Sequence, residues 1–254
     1  MSSPTRLLSV LALAVALLQG CGSSNPYQGL TASELFQRAQ TAYDAEDYDE
    51  AIRALDRLFL SFAGFDEAEE ARMMLADAHF QNEDYILARS EYNRFLSRYP
   101  TSTRAPVAAL GTCQALVQLS PIPQRDQEYT REAMDTCGNV AVDYQGSEQA
   151  AVAGSMAEEM REKLAQKVFL NGEFYQRREL WDSAIQYYEI LLQSYPDSEF
   201  APRALKGIIE ANQAVGYDDL AEEARERLLQ DYPDSPAAQE VRANGESVDG
   251  DAVG

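Results

Sequence analysis

The sequence predicts an all-α protein built as an array of about five helical hairpins. Two markers recur together along the chain, apolar residues fall at helical spacing between them, and strand signals are nearly absent. The first marker is an Ala shortly after a turn, at Ala51, Ala88, Ala133, Ala184 and Ala221. The second is an aromatic residue eleven positions later, at Phe62, Tyr99, Tyr144, Tyr195 and Tyr232. Both series advance by 37, 45, 51 and 37 residues. Such paired spacing marks one supersecondary unit, repeated because a single copy cannot bury its own apolar face.

Each unit reads as two helices. Glu34–Ala45 and Glu67–Asn82 carry apolar residues at helical spacing, and the acidic pairs Glu46-Asp47 and Glu83-Asp84 separate them from second helices. Those second helices run to the aromatic marker, which Pro100, Pro196 and Pro233 follow in three copies. Proline lacks an N–H and disfavours α geometry in the residue before it, so the helix stops there. The Thr-Ser or Asp-Ser pairs that come next can cap the following helix. Around Ala184, the small residue of the first helix is Gly172, the aromatics are Tyr175 and Tyr188, and Pro196 closes the copy. Around Ala88 the corresponding residues are Ala76, Tyr92 and Pro100. This pattern resembles the tetratricopeptide repeat and implies a helical-hairpin solenoid. The other copies are degenerate: the first lacks the proline and the fifth has Arg225 in the aromatic place. A non-repetitive helical bundle is the competing fold.

The departures from 37 residues locate two insertions. The 8 extra residues of the third repeat fit a loop, Ser120–Glu128, where Pro121 and Pro123 block a helix. The 14 extra residues of the fourth lie within Glu148–Tyr175, which has no proline and is rich in Ala, Glu, Met and Lys. Fourteen residues make close to four turns, so the buried face returns to nearly its starting direction. This predicts one long helix joining repeats 3 and 4, with Gly154 as its weak point.

Before the repeats comes a leader. One basic residue, Arg6, precedes the apolar run Leu7–Leu18, interrupted by Ser9. Such a run spans roughly 18 Å as a helix, too short for a hydrocarbon core of about 30 Å, and so reads as a secretion signal. It ends in Leu18-Gln19-Gly20-Cys21, which resembles the lipobox of bacterial lipoproteins and implies lipidation at Cys21. An ordinary secretion signal with an incidental cysteine is the competing reading. Where similar lipoproteins carry an Asp for inner-membrane retention this chain has Gly22, which implies the outer membrane. The expected organisation is a signal peptide over 1–20, a lipidated tether over 21–32, front repeats 1–3 over 33–146, the long helix with back repeats 4–5 over 147–236, and a disordered acidic tail over 237–254. The tail expectation rests on Asn244–Gly254, which has three Gly, three acids and only three apolar side chains.

Charge and motifs narrow the function. The chain carries 21 basic and 42 acidic residues, a net charge of −21. Such a surface repels nucleic acid and anionic lipid headgroups, which excludes a nucleic-acid binder. Membrane attachment then falls to acyl chains, at about 0.8 kcal/mol for each buried CH₂. The one histidine, His79, lies on a helical face and reads as structural. No Cys-x-x-Cys, HExxH, GxSxG or glycine-rich phosphate loop occurs, so neither an enzyme nor a cofactor is expected. Gln124–Glu128 lacks the spacing of a calcium loop, and no metal is expected. Cys113 and Cys137 both face the contact between the two helices of one repeat. In an oxidising compartment they form a disulfide or pack as two buried thiols; the sequence leaves both open.

The lipobox, the five repeats, the Gln124-Arg125-Asp126 loop and the stretch from Lys163 to Pro196 together resemble the BamD family, lipoproteins of the outer-membrane β-barrel assembly machine. The resemblance covers about residues 21–236. It implies a lipid-anchored scaffold on the periplasmic face of the outer membrane. The implied partners are unfolded barrel proteins, the barrel-forming subunit and other assembly lipoproteins. Three places depart from the family pattern: Ser61–Phe65, Thr103–Pro106, and Tyr187, where Arg is common. In the resembling repeats, certain first-helix positions line a peptide groove. Here these are Phe36, Gln40 and Tyr43 in repeat 1 and Met73, Asp77 and Phe80 in repeat 2. Their apolar members are seven apart, which stacks them on one side of each helix as an exposed apolar patch. Alternatively they pack against Tyr27–Leu30 or repeat 3. Other periplasmic repeat proteins, such as a Tol-Pal envelope partner or a regulator of a peptidoglycan enzyme, are the competing functions.

Overall fold

A computed structural model describes residues 26–251, with side chains through Asn244. Among the described residues there are eleven helices and no strand: α1 (Ala32–Asp44), α2 (Tyr48–Ser61), α3 (Ala68–Gln81), α4 (Tyr85–Arg98), α5 (Ala105–Leu119), α6 (Glu128–Asp143), α7 (Glu148–Gln176), α8 (Trp181–Ser194), α9 (Ala201–Val215), α10 (Asp218–Asp231) and α11 (Pro236–Asp251). They pair as hairpins in chain order. Cys21 and the leader lie outside the described residues, and no described helix is long and apolar enough to cross a membrane.

Within four of the five hairpins the turn is tight and uses one backbone solution. Glu46, Glu83, Glu179 and Gly216 occupy equivalent places and all have left-handed φ, between 57° and 81°. Only Gly216 takes that conformation without steric cost. The fifth turn, between α5 and α6, is replaced by the 120–127 insertion.

The chain divides into two compact units, 1–71 and 72–254. In the first, α1 and α2 bury Leu35, Phe36, Ala39, Leu55 and Leu58 between them. Thr31 and Glu34 form a reciprocal capping box at the start of α1, and Asp47 accepts from the Glu50 backbone at the start of α2. Tyr27 is drawn onto this hairpin: its hydroxyl donates to Glu50 Oε2 at 2.9 Å and its ring lies under Arg38 at 4.9 Å.

In the second unit consecutive helices pack from α4 to α10, and each first helix also touches the next, α5 on α7, α7 on α9 and α9 on α11. That double contact is what a helical-hairpin solenoid requires. The joining helix α7 runs unbroken for 29 residues through Gly154. Two tyrosines lock the stack at equivalent places. Tyr188 lies so close to Gly172 of its own hairpin and Gly207 of the next that a Cβ on either would approach its ring to less than 3.0 Å. Tyr92 meets Gly111 of the next hairpin in the same way. In the third hairpin the equivalent place holds Cys137, joined to Cys113 by a disulfide with a Cα–Cα distance of 5.0 Å.

The insertion is held down rather than free. Lys163 Nζ donates to Ser120 Oγ at 2.8 Å and Ser120 O at 3.2 Å, and Lys167 Nζ donates to Gln124 O at 3.1 Å. Gln127 is buried and donates to the Ile122 and Arg125 carbonyls, while accepting from Thr130 at 2.6 Å. Burial lowers the Lys163 pKa, with Glu159 opposing.

The expected tail is corrected. α11 begins at Pro236, and Ala237, Ala238 and Val241 are buried in the core of the last hairpins. Those three apolar residues precede the acidic, glycine-rich stretch from Asn244, so the correction concerns the first part of the expected tail. The structure does not describe residues 252–254.

Candidate peptide groove

The first helices of the back repeats and α11 enclose a groove of about 470 Å³. Phe169, Glu173 and Gln176 line it from α7, Arg203, Lys206 and Glu210 from α9, and Ala237 and Glu240 from α11. Its floor is aromatic. Phe169 packs against Tyr188 at 5.7 Å and Phe200 at 5.3 Å between ring centroids, and Arg203 stacks over Phe169 at 4.3 Å. Stacking keeps the Arg203 fork flat while leaving its edge to solvent.

Above that floor runs a polar chain. The Tyr188 hydroxyl donates to Gln176 Oε1 at 2.5 Å, and Gln176 Nε2 donates to Glu210 Oε2 at 2.8 Å. Burial, reinforced by the nearby Glu173 and Glu210 charges, pushes the Tyr188 phenol well above its ordinary range. Tyr188 is therefore a fixed neutral donor that orients Gln176. Lys206 bonds to Glu240 and lies 3.9 Å from Glu210; the Glu240 bond raises its pKa above the usual lysine value. Glu173 lies 3.7 Å from Arg177 and 3.9 Å from Arg203. Every cation of this groove has a carboxylate partner. Phe169 and Tyr188 are buried beneath the polar side chains, so an extended peptide would meet chiefly paired charges that can exchange partners, held in place by the aromatic floor.

The groove residues anticipated in the front repeats stand differently. Phe36 is 6% exposed and Met73 5% exposed, so the expectation of an exposed apolar patch is corrected at both. Phe36 is covered by Phe65 at 6.4 Å, and Met73 joins the core with Ala76, Ala88, Tyr92 and Phe95. Tyr43 and Phe80 are half-buried, each edge-on to the tyrosine that opens the next helix, Tyr48 and Tyr85, at 5.4 Å. Gln40 is half-buried. Asp77 accepts from the Tyr92 hydroxyl at 2.6 Å, and burial raises its pKa against that bond and Arg104.

Phe169, Glu173 and Gln176 occupy the places in repeat 4 that Met73, Asp77 and Phe80 occupy in repeat 2. The register that marks Met73, Asp77 and Phe80 reaches this groove when carried through the long helix. Tyr187 stacks flat on Tyr175 at 5.2 Å between ring centroids.

Stacked hairpins around a lined groove define a tetratricopeptide-type scaffold. The chain belongs to the YfiO family of outer membrane lipoproteins, which matches residues 28–228. It is similar to the outer membrane protein assembly factor BamD of Xylella fastidiosa, with 27% identity covering 92% of this chain and 85% of that one. It is also similar to BamD of Vibrio cholerae, with 28% identity over 85% of this chain and 94% of that one. Among solved structures, the TPR2AB domain of yeast Sti1 aligns with a TM-score of 0.42 at 13% identity, covering 85% of this chain and 83% of that one.

Proposed function

We propose that the protein is a lipid-anchored, periplasm-facing scaffold of the outer-membrane β-barrel assembly machine. It binds segments of unfolded barrel proteins and docks the barrel-forming subunit beside other assembly lipoproteins. The observation that carries this reading is the family match over 28–228, from the tether to the last complete hairpin. The assembly-factor names of the relatives and the groove around Phe169 support it. Its action is binding: extended peptide lies along the groove, where paired charged side chains exchange partners with it and fix its register. Cys21 holds the protein to the outer membrane through acyl chains, which the acidic surface makes necessary. In the front repeats, Gln40, Tyr43, Asp77 and Phe80 retain enough exposure to touch a ligand, whereas Phe36 and Met73 act from beneath. Purification from outer membranes with partners attached tests the reading. Recovery of a barrel-forming subunit sustains it; recovery of Tol-Pal components or a peptidoglycan enzyme instead overturns it.

A further inference from the structure

A second cavity lies where the insertion meets α7 and the end of α8. There Arg125 of the insertion, Arg131 of α6 and Lys167 of α7 surround a cavity of about 440 Å³. Its apolar lining is Leu164, Val168 and Tyr195, and Asp126 is the one carboxylate among the lining residues. The charge balance is unusual for this chain, which has twice as many acids as bases. It also differs from the back groove, where Arg177, Arg203 and Lys206 all have carboxylate partners. Among the described residues Arg125 and Arg131 form no ion pair, and Lys167 Nζ bonds to a backbone carbonyl, Gln124 O. The site is built: the Lys163 and Lys167 hydrogen bonds and the buried Gln127 hold the insertion in place.

We propose that this cavity is a second docking site, for an extended acidic segment of a partner polypeptide. Three cations from three different elements would each meet a carboxylate, and the lining of Leu164, Val168 and Tyr195 would take an apolar side chain between them. A net charge of −21 opposes approach of an anionic bilayer, which presents its charge to the whole chain. A narrow peptide meets only the local cations, so charge complementarity favours it. This inference is independent of what occupies the back groove.

The test uses the full-length protein in neutral detergent and a fluorescein-labelled peptide, GSEFEEFEGS, followed by anisotropy. Its counterpart GSQFQQFQGS removes the carboxylates and keeps the apolar side chains. Soluble dihexanoyl phosphatidylglycerol supplies the alternative anion. The glutamate peptide is expected to bind about tenfold or more tightly than the glutamine peptide, and to weaken as salt rises. Arg125→Glu with Arg131→Glu should remove that preference while leaving the melting temperature unchanged. If that pair fails to fold, Arg125→Gln with Arg131→Gln serves the same purpose. Equal binding of both peptides, or a preference that survives the substitutions, overturns the proposal. So does phospholipid binding lost in the variant without any peptide binding, which would assign the cations to a phosphate headgroup.

Discussion

In the fourth hairpin the seam between the helices is filled by Tyr188, whose ring reaches Gly172 on one side and Gly207 of the following hairpin on the other. In the third hairpin the same places hold Cys137 and Cys113, joined covalently. The aromatic wedge touches two first helices at once, so it ties its hairpin to the next. The disulfide closes its own hairpin, and contact onward runs through apolar side chains instead: Cys137 and Val140 pack with Ala153, and Leu116 and Ala133 pack with Met160. One repeat architecture thus uses two physically different closures. One is an aromatic side chain shared between neighbouring hairpins, the other a covalent bond within a single hairpin.

The largest effect expected from breaking this contrast is Tyr188→Ala. Removing a fully buried aromatic should cost about 3–5 kcal/mol in chemical denaturation. Hydrogen exchange should quicken in both α7–α8 and α9, while Tyr188→Phe loses only the hydroxyl bond to Gln176. Replacing Cys113 and Cys137 by Ala should cost about 3 kcal/mol, because the bond closes a loop between residues 24 apart. Faster exchange should then centre on α5–α6, and reductant should reproduce the loss in the native chain. Gly207→Ala should destabilise by about 1–3 kcal/mol through overpacking against the Tyr188 ring, whereas Gly154→Ala, whose Cβ would meet Ala141 at an ordinary 3.7 Å, should not. The smallest effect belongs to the turns. Glu179→Gly relieves a left-handed residue and should change stability by about 0.5 kcal/mol or less, in the stabilising direction.

The hairpin array was legible because its markers are local and repeated: a small residue, an aromatic and a proline at fixed offsets declare two helices wherever they recur. The long helix was legible for the same reason, since a 14-residue insertion without proline preserves the buried face. What remained hidden is what neighbours decide. Glu46, Glu83 and Glu179 looked like ordinary polar turn residues, and only the backbone reveals their left-handed conformation. Phe36 and Met73 sit at ligand-facing register positions but are covered by Phe65 and by the Tyr92 cluster, contacts that periodicity does not encode. The expected tail began too early because the composition of Asn244–Gly254 says nothing of Ala237, Ala238 and Val241, which precede it and dock on the preceding hairpin.

The central claim, that the back groove takes polypeptide of the outer-membrane assembly pathway, is tested most directly by site-specific photocrosslinking in living cells. A benzoylphenylalanine replacing Gln176 lies in the groove, and one replacing Glu226, an exposed α10 position absent from the groove lining, is the control. The account predicts adducts at position 176 that mass spectrometry identifies as the barrel-forming subunit or unfolded barrel proteins, with far fewer at 226. Equal labelling at both positions, or adducts at 176 consisting of unrelated envelope proteins, would contradict it.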